Sequence, residues 1–258
     1  MLFRSGSCSA VLYAHSGGVK ALAVVADGRL ASGITDNTIH FWDPASGTCS
    51  AVLEGHGNWV MALAALADGY LASASIDGTI RLWDPASVTC SSVSERHRDW
   101  VNALAVLLDG RLVSASIDGT IRLWDPDSGS CSSVCGEQHG YWVKALAVLA
   151  DGRIASASND HTIRIWDPAS GSCSADFQGH QGSVMALAVL ADSRLASGSI
   201  DKTIRLWDPD TGACTAVLEG HQAAVGALAV LKDGRIASGS QDTTIRIWDP
   251  ASGSRSEE

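Results

Sequence analysis

One stretch of the chain constrains its fold more than any other. Residues 75–85 read Ser-Ile-Asp-Gly-Thr-Ile-Arg-Leu-Trp-Asp-Pro, and residues 116–126 repeat them letter for letter. Close variants bring the number of Trp-Asp pairs to six, and their tryptophans lie 41 or 42 residues apart, at Trp42, Trp83, Trp124, Trp166, Trp207 and Trp248. A fixed period of this length predicts stacked copies of one supersecondary unit.

The third repeat shows what each unit contains. Short runs at 90–93, 101–107, 111–116 and 120–124 predict four strands, and the nearly all-apolar run at 101–107 is typical of a strand buried on both faces. Asp109-Gly110 and Asp118-Gly119 predict type I′ hairpin turns. Each repeat should therefore form one antiparallel sheet, which is too small to bury both of its faces without a neighbour.

Six such sheets are expected to stack in a circle, because a radial arrangement leaves few open edges. With its Gly-His and Trp-Asp pairs, the chain resembles the WD40 repeat family. The resemblance implies an all-β fold, a six-bladed WD40-type β-propeller with one four-stranded blade per repeat. We expect residues 1–258 to form a single domain, with repeats at approximately 7–47, 48–88, 89–129, 130–171, 172–212 and 213–253.

The ends of the sequence predict how the ring closes. Residues 6–12 copy the outer-strand residues 212–218, and the last repeat has no such strand of its own. The N-terminal strand is therefore expected to complete the last blade and to give a monomeric ring. Because the WD40 family most often uses seven blades, an open array that pairs with another chain stays an alternative.

Charge and composition narrow the classes of partner. The formal net charge is −10, which disfavours nucleic acid as a partner. The sequence shows no signal-peptide core and no apolar run of membrane-spanning length, so a cytoplasmic protein without a membrane partner is expected. Six of the seven cysteines fall at one position of each repeat, which predicts separate, half-buried thiols, no metal site and no cofactor.

Each repeat also carries His, Ser and Asp at a fixed spacing before its Trp, for example His56, Ser73, Asp77 and Trp83. Ser, His and Asp are residues of nucleophilic catalysis. An active site, however, occurs once per domain, whereas this set occurs six times. In WD40 proteins the matching residues form a buried hydrogen-bond network, so the resemblance implies a structural role. No catalytic residue and no enzyme activity are expected.

The positions that differ between repeats carry the information about function. They lie at the loop that enters the inner strand, within that strand, and at the turn between the second and third strands. An antiparallel blade places them at one end, and in the WD40 family this face commonly binds partners. The candidate partner-binding residues are Trp59, Trp100, Trp142, Tyr141, Met61, Asn102, Lys144, Ile76 and Ile117.

Large indoles with polar neighbours are typical of binding hot spots. The sequence therefore predicts a non-catalytic scaffold that holds a protein or peptide on this face. Two alternatives stay open. The same indoles could stack on a carbohydrate or another small molecule, and the near-uniform repeats also fit a recently amplified or designed array without an evolved partner.

Overall fold

The computed structural model describes residues 11–12, 16–93, 97–135 and 139–251. In this part of the chain the regular elements are 23 β-strands, and no residue is helical. The strands form six separate antiparallel sheets that follow one another along the chain, and we call these sheets blades 1 to 6. The all-β architecture of six consecutive repeat sheets that the sequence predicts is confirmed.

Blades 1 to 3 each contain four strands. Blade 1 consists of β1 (Val19–Val24), β2 (Leu30–Ile34), β3 (Ile39–Asp43) and β4 (Thr48–Leu53). Blade 2 consists of β5 (Val60–Ala65), β6 (Leu71–Ser75), β7 (Ile80–Asp84) and β8 (Thr89–Val93). Blade 3 consists of β9 (Val101–Val106), β10 (Leu112–Ser116), β11 (Ile121–Trp124) and β12 (Cys131–Cys135).

Blades 4 and 5 also contain four strands, and three strands of blade 6 are described. Blade 4 consists of β13 (Val143–Val148), β14 (Ile154–Ser158), β15 (Ile163–Trp166) and β16 (Cys173–Phe177). Blade 5 consists of β17 (Val184–Val189), β18 (Leu195–Ser199), β19 (Ile204–Trp207) and β20 (Cys214–Leu218). Blade 6 consists of β21 (Val225–Val230), β22 (Ile236–Ser240) and β23 (Ile245–Trp248). Within every blade the strands pair in chain order.

The hairpin turns differ from the prediction. Gly110 and Gly119 have positive φ angles of 88° and 82°, but the aspartate before each glycine does not. The amide of Gly110 donates a 3.0 Å hydrogen bond to the carbonyl of Leu107. This connection is therefore a type I turn followed by one left-handed residue. The predicted type I′ turns are wrong, because those need positive φ at two residues.

The most deeply buried strand is also not the predicted one. All five residues of β10 are buried, whereas β9 is half-buried beyond Val101. The reason is the strand order, since β9 is an edge of its sheet and β10 has a paired strand on each side. Small residues such as Ser114 and Ala115 then allow the adjacent blade to approach.

The apolar core is divided among junctions between adjacent blades. Between blades 1 and 2, Ile39 and Phe41 of the earlier blade pack with Val60, Leu71 and Trp83 of the later one. Four further clusters repeat this arrangement between each following pair of blades. Full burial of one such side chain contributes about 1.5–3 kcal/mol. The blades thus bury their faces against their neighbours in the chain.

In the first and last blades, some apolar residues that are buried in the other blades are exposed. Val19 of blade 1 is 46% exposed, whereas the equivalent valine in each of the other blades is fully buried. Ile245 of blade 6 is 77% exposed, whereas its equivalents in blades 1 to 5 are fully buried. The predicted closing strand falls largely on residues 6–10, which lie outside the described residues. The described residues therefore form five packed junctions, and Val19 and Ile245 are more exposed than their equivalents in the other blades, whereas Trp42 of blade 1 is as buried as the other motif tryptophans.

The cysteines are separate, as their spacing predicts. Of the described cysteines, Cys49, Cys131 and Cys173 are half-buried as predicted, whereas Cys90 and Cys214 are exposed. Within the described ranges, no group of three His, Cys, Asp or Glu side chains is arranged to hold a metal ion. The same residues contain no helix that is long and apolar enough to cross a membrane.

Candidate functional site

A hydrogen-bond network lies inside each blade, and blade 2 shows its parts. The indole Nε1 of Trp83 donates to the hydroxyl oxygen of Ser73 over 2.7 Å. The same hydroxyl lies 2.7 Å from Nε2 of His56, and Nδ1 of His56 lies 3.0 Å from a carboxylate oxygen of Asp77. With a neutral ring protonated at Nδ1, Ser73 donates to His56 and His56 donates to Asp77. The network joins an entry loop, two strands and a turn.

The network recurs along the chain. In blades 3 to 6 the distance between His Nε2 and Ser Oγ is 2.7 or 2.8 Å, and that between His Nδ1 and the Asp carboxylate is 2.7–3.0 Å. In blade 1, Trp42 donates to Ser32 over 2.8 Å and Asp36 accepts from Ser16, whereas His15 lies outside the described residues. The structure therefore joins the four residues in every blade in which all four are described.

The aspartates of the network are held in the ionised form. Burial raises the pKa of Asp201, but hydrogen bonds from Thr203, from the Gln181 amide and from His180 together lower it to about 2. A carboxylate with this many donors is a strong acceptor that ties the turn to the entry loop.

In blade 3, burial favours the neutral form of the network histidine, and the serine beside it is inaccessible. Burial lowers the pKa of His97, although the hydrogen bond to Asp118 opposes the shift. The hydroxyl of Ser114 lies between the indole of Trp124 and His97, and Ser114 is fully buried. No substrate can reach this oxygen without unpacking the blade. The arrangement thus resembles a catalytic triad in composition but acts as an internal hydrogen-bond chain.

Three tryptophans lie outside the network, at the loops that enter blades 2, 3 and 4. Trp59 and Trp100 are each 42% exposed and Trp142 is 46% exposed, whereas the six motif tryptophans are buried. Tyr141, beside Trp142, is also exposed. We call these four residues, together with five half-buried ones, the tryptophan surface; the five are Met61, Asn102, Lys144, Ile76 and Ile117.

Backbone hydrogen bonds attach each of these loops to a turn of the same blade. The amide of Ile76 donates to the carbonyl of Trp59 over 3.0 Å, and the amide of Ile117 donates to the carbonyl of Trp100 over 2.9 Å. In blade 4 the amide of Asn159 donates to the carbonyl of Trp142 over 2.9 Å. The entry loop and the turn between the second and third strands therefore meet at one end of each blade.

Lysine side chains lie against two of the exposed indoles. Nζ of Lys144 is 4.6 Å from the ring centroid of Trp142, and Nζ of Lys20 in blade 1 is 5.5 Å from that of Trp59 in blade 2. A cation within about 6 Å of an indole is attracted to its face. Burial lowers the pKa of Lys144. Sequence reasoning left Lys20 out of the site, although Lys20 aligns with Lys144 in the repeat.

Side-chain contacts join neighbouring blades at the same end. The side-chain amide of Asn102 in blade 3 donates to the carbonyl of Val143 in blade 4 over 3.1 Å. Together with the contact between Lys20 and Trp59, this bond joins adjacent blades beside the exposed indoles. These contacts link blades 1 and 2 and blades 3 and 4 directly beside the tryptophan surface.

A cavity of about 350 Å³ lies at the opposite ends of the strands. It is lined by residues of blades 3 and 4 that include Leu108, Arg111, Arg153 and Pro168. Arg111 donates to the carbonyl of Pro168 over 3.2 Å across the junction. A similar cavity of about 300 Å³ lies between blades 2 and 3. These spaces belong to the repeated junctions and do not include the tryptophan surface.

Six consecutive antiparallel blades that carry a recurrent Trp–Ser–His–Asp network define a repeat protein of the β-propeller class. The family model described as WD domain, G-beta repeat matches the chain six times, at residues 6–43, 47–84, 88–125, 129–167, 171–208 and 212–249. The chain therefore belongs to the WD40 family, as its Trp-Asp pairs predict. None of the curated proteins matches it. WD40 repeats generally form protein-interaction scaffolds, and the family is typically non-catalytic.

Proposed function

We propose that this chain is a non-catalytic scaffold that binds a peptide segment of a partner protein on the tryptophan surface. The observation that carries the proposal is the exposure of Trp59, Trp100 and Trp142 on three consecutive blades. Folded proteins normally bury most of an indole, and tryptophan is enriched among the residues that dominate binding energy. Three half-exposed indoles on consecutive blades are therefore well suited to hold a partner.

The polar residues around the indoles favour a peptide as the ligand. Lys20 and Lys144 contribute ammonium groups, and Tyr141 contributes an exposed phenol. Apolar anchors with a polar fringe match the hydrophobic centre and polar rim of protein interfaces. The ammonium groups favour a segment that combines apolar side chains with a carboxylate.

A peptide-display selection on the purified chain tests the proposal. Peptides recovered on the parent chain are then measured against the triple variant Trp59→Ala/Trp100→Ala/Trp142→Ala. The loss of even one hot spot of about 2 kcal/mol corresponds to a weakening of about 30-fold, so we expect at least that loss. Leu108→Ala is the matched control, because Leu108 is exposed at the opposite ends of the strands. Equal affinity of the parent and the triple variant would contradict the proposal.

A carbohydrate ligand is the second candidate, and the same three indoles favour it, since indole faces also stack on sugar rings. A glycan array probed with the parent chain and the triple variant separates the two. Glycan binding that depends on Trp59, Trp100 and Trp142, without any selected peptide, would replace the peptide proposal. If neither class of ligand binds, the chain is a repeat array without a ligand on this surface.

A further inference from the structure

Blade 1 differs from the other blades at one position of its third strand. It carries His40, whereas blades 2 to 6 carry arginine there, as Arg81, Arg122, Arg164, Arg205 and Arg246. The strand register is unchanged, since His40 and the arginines all lie opposite the network serine of their own blade. The ring of His40 is buried and stacks on Trp42, with the ring centroids 5.8 Å apart. The packing therefore fixes the plane of this imidazole.

Hydrogen bonds in blade 1 determine which nitrogen of His40 carries the proton. Burial raises the pKa of Asp36, but hydrogen bonds from the hydroxyls of Thr38 and Ser16 lower it below its ordinary value, so the carboxylate is ionised. The hydroxyl of Thr38 donates to this carboxylate over 2.5 Å. It therefore accepts a hydrogen bond from Nε2 of His40, which lies 3.0 Å away. In the neutral ring, Nε2 thus carries the proton and Nδ1 has a lone pair.

The thiol of Cys49 lies beside this second nitrogen. Sγ of Cys49 is 3.6 Å from Nδ1 of His40, across the pair of strands β3 and β4. The carbonyl of Ala51 is another acceptor, 3.5 Å from the same sulfur. A carbonyl does not take up a proton near neutral pH, whereas a neutral imidazole does. A nucleophile next to a base that a third group orients is the arrangement of an activated nucleophile.

The equivalent cysteines of blades 4 and 5 lie near arginine instead of histidine. In blade 5, Nη1 of Arg205 lies 3.8 Å from Sγ of Cys214. A guanidinium stays protonated and cannot accept the proton of a thiol. In blade 4, burial raises the pKa of the Cys173 thiol, and the charge of Arg164 offsets only part of that shift. The imidazole therefore distinguishes Cys49 from these two thiols.

We propose that Cys49 is a modification site, at which hydrogen peroxide oxidises the thiol to a sulfenic acid. Nδ1 of His40 takes the thiol proton, and the thiolate sulfur attacks one oxygen of the peroxide. The S–O bond forms as the O–O bond breaks, so the sulfur gives up two electrons and the peroxide gains them. The leaving hydroxide takes the proton from His40 and departs as water. Because Cys49 is half-buried, a small uncharged oxidant is the class that reaches it.

Peptide mass spectrometry tests the proposal, after exposure to hydrogen peroxide and to a cyclic diketone that traps sulfenic acids. An ordinary thiol, with a pKa of about 8.5, is only about 3% thiolate at pH 7, so a base beside it can raise the rate up to about 30-fold. We expect trapping of Cys49 to be at least about tenfold slower in His40→Gln, because the amide does not take up a proton. Cys173 and Cys214 are the internal references, and their rates should not change. Equal rates at Cys49 in the two chains overturn the proposal.

A second variant and a second reagent separate proton transfer from access to the sulfur. His40→Arg restores the residue of the other five blades, so it replaces His40→Gln if that variant does not fold, and trapping of Cys49 should be slow in it too. Alkylation by iodoacetamide at about pH 10, where thiols ionise without a base, should proceed at the same rate in the parent and both variants. A difference that persists at this pH means that the substitutions change access to Cys49, and it overturns the proposal.

Blade 5 offers a matched variant in which reactivity should increase. The hydroxyl of Thr203 donates to Asp201 over 2.7 Å, as the equivalent pair does in blade 1. Arg205→His therefore supplies the imidazole that Cys214 lacks in the parent chain. We expect trapping of Cys214 to become about tenfold faster. If the variant is folded by circular dichroism and the rate at Cys214 is unchanged, an imidazole at this position does not activate the thiol and the proposal fails.

Discussion

Val225 packs so closely on Gly198 that a Cβ atom added to this glycine would lie 2.8 Å from Cγ1 of the valine. Gly198 belongs to blade 5 and Val225 to blade 6, so the absence of a side chain permits their close approach. Gly33 and Val60 make the same contact between blades 1 and 2, at 2.7 Å. Three other blades carry alanine at this position, as Ala74, Ala115 and Ala157.

Gly198→Ala should therefore strain the junction between blades 5 and 6. We expect the free energy of unfolding to fall by about 1–3 kcal/mol, because overpacking a well-packed core usually destabilises a protein by that amount. Urea unfolding followed by tryptophan fluorescence measures the change. Gly226→Ala is the control, because a Cβ atom there would meet nothing within 4 Å. Equal unfolding midpoints for the two variants would show that the junction accepts the methyl group.

Val88 should be a strained residue in the loop after β7. Its φ angle is 58°, in the left-handed region that β-branched residues rarely adopt. The equivalent positions of four other blades carry glycine, as Gly47, Gly129, Gly171 and Gly212. We expect Val88→Gly to raise the free energy of unfolding by about 1 kcal/mol, because the relief of strain exceeds the entropy cost of glycine.

Thermal unfolding of Val88→Gly and of a control, Val52→Gly, measures this effect. Val52 is an exposed residue within β4, where glycine removes side-chain contacts and adds backbone freedom. The control should lower the unfolding temperature and Val88→Gly should raise it. If both variants are destabilised, the valine is not strained at this position.

Asp118→Ala should destabilise blade 3 and leave ligand binding intact. The substitution removes the acceptor of His97 Nδ1, of the Thr120 hydroxyl and of two backbone amides. Each buried donor left without a partner lowers the free energy of unfolding by about 1–3 kcal/mol, so the unfolding temperature should drop. Asp127→Ala is the control, because Asp127 is exposed on the loop after β11. Reduced affinity for a selected peptide at unchanged stability would contradict the structural role of the network.

Stability should decrease as the pH falls below about 6.5, the ordinary pKa of histidine. Burial lowers the pKa of His97 and of His180, and hydrogen bonds to Asp118 and Asp201 only partly offset that shift. Below that pH the unfolded chain takes up protons that the folded chain does not bind, so the free energy of unfolding falls. The loss ends at the pH that equals the pKa of the ring in the folded chain, because below it the folded and the unfolded chain both bind the proton.

Urea titrations at pH 7.5, 6.5 and 5.5, spanning roughly one pH unit on either side of that value, measure the dependence. The His161→Ala variant serves as the control, because His161 is exposed on a turn; its charge helps to lower the pKa of His180 but does not act on His97, so the pH dependence that comes from His97 should stay in place. A free energy of unfolding that stays constant or rises between pH 7.5 and 5.5 would show that the buried rings are not held in the neutral form.

The local features of the blades follow from short sequence patterns. The spacing between His97, Ser114, Asp118 and Trp124 is the same in every described repeat, so one rule about one blade predicts the rest. Strand pairing within a blade is equally local, because neighbouring strands are joined by turns of a few residues. These features need no information about the distance between blades.

Features that depend on a neighbouring blade could not be predicted in this way. Val19 and Val60 occupy the same repeat position, yet one is half-exposed and the other is fully buried. The difference arises because Val60 packs on blade 1. The sequence pattern around the two valines is alike, so the pattern alone could not predict it. Lys20 lies against Trp59 for the same kind of reason, since only the packing of blade 1 on blade 2 brings them together.

The central claim is that the nine tryptophans have two roles, with six holding the blades together and three exposed for binding. Acrylamide quenching of tryptophan fluorescence tests it most directly, on the parent chain and on Trp59→Phe/Trp100→Phe/Trp142→Phe. The triple variant should lose the quenchable part of the emission and unfold at the parent's temperature. Emission that is quenched as strongly as in the parent, or a clear drop in unfolding temperature, would contradict the division into two roles.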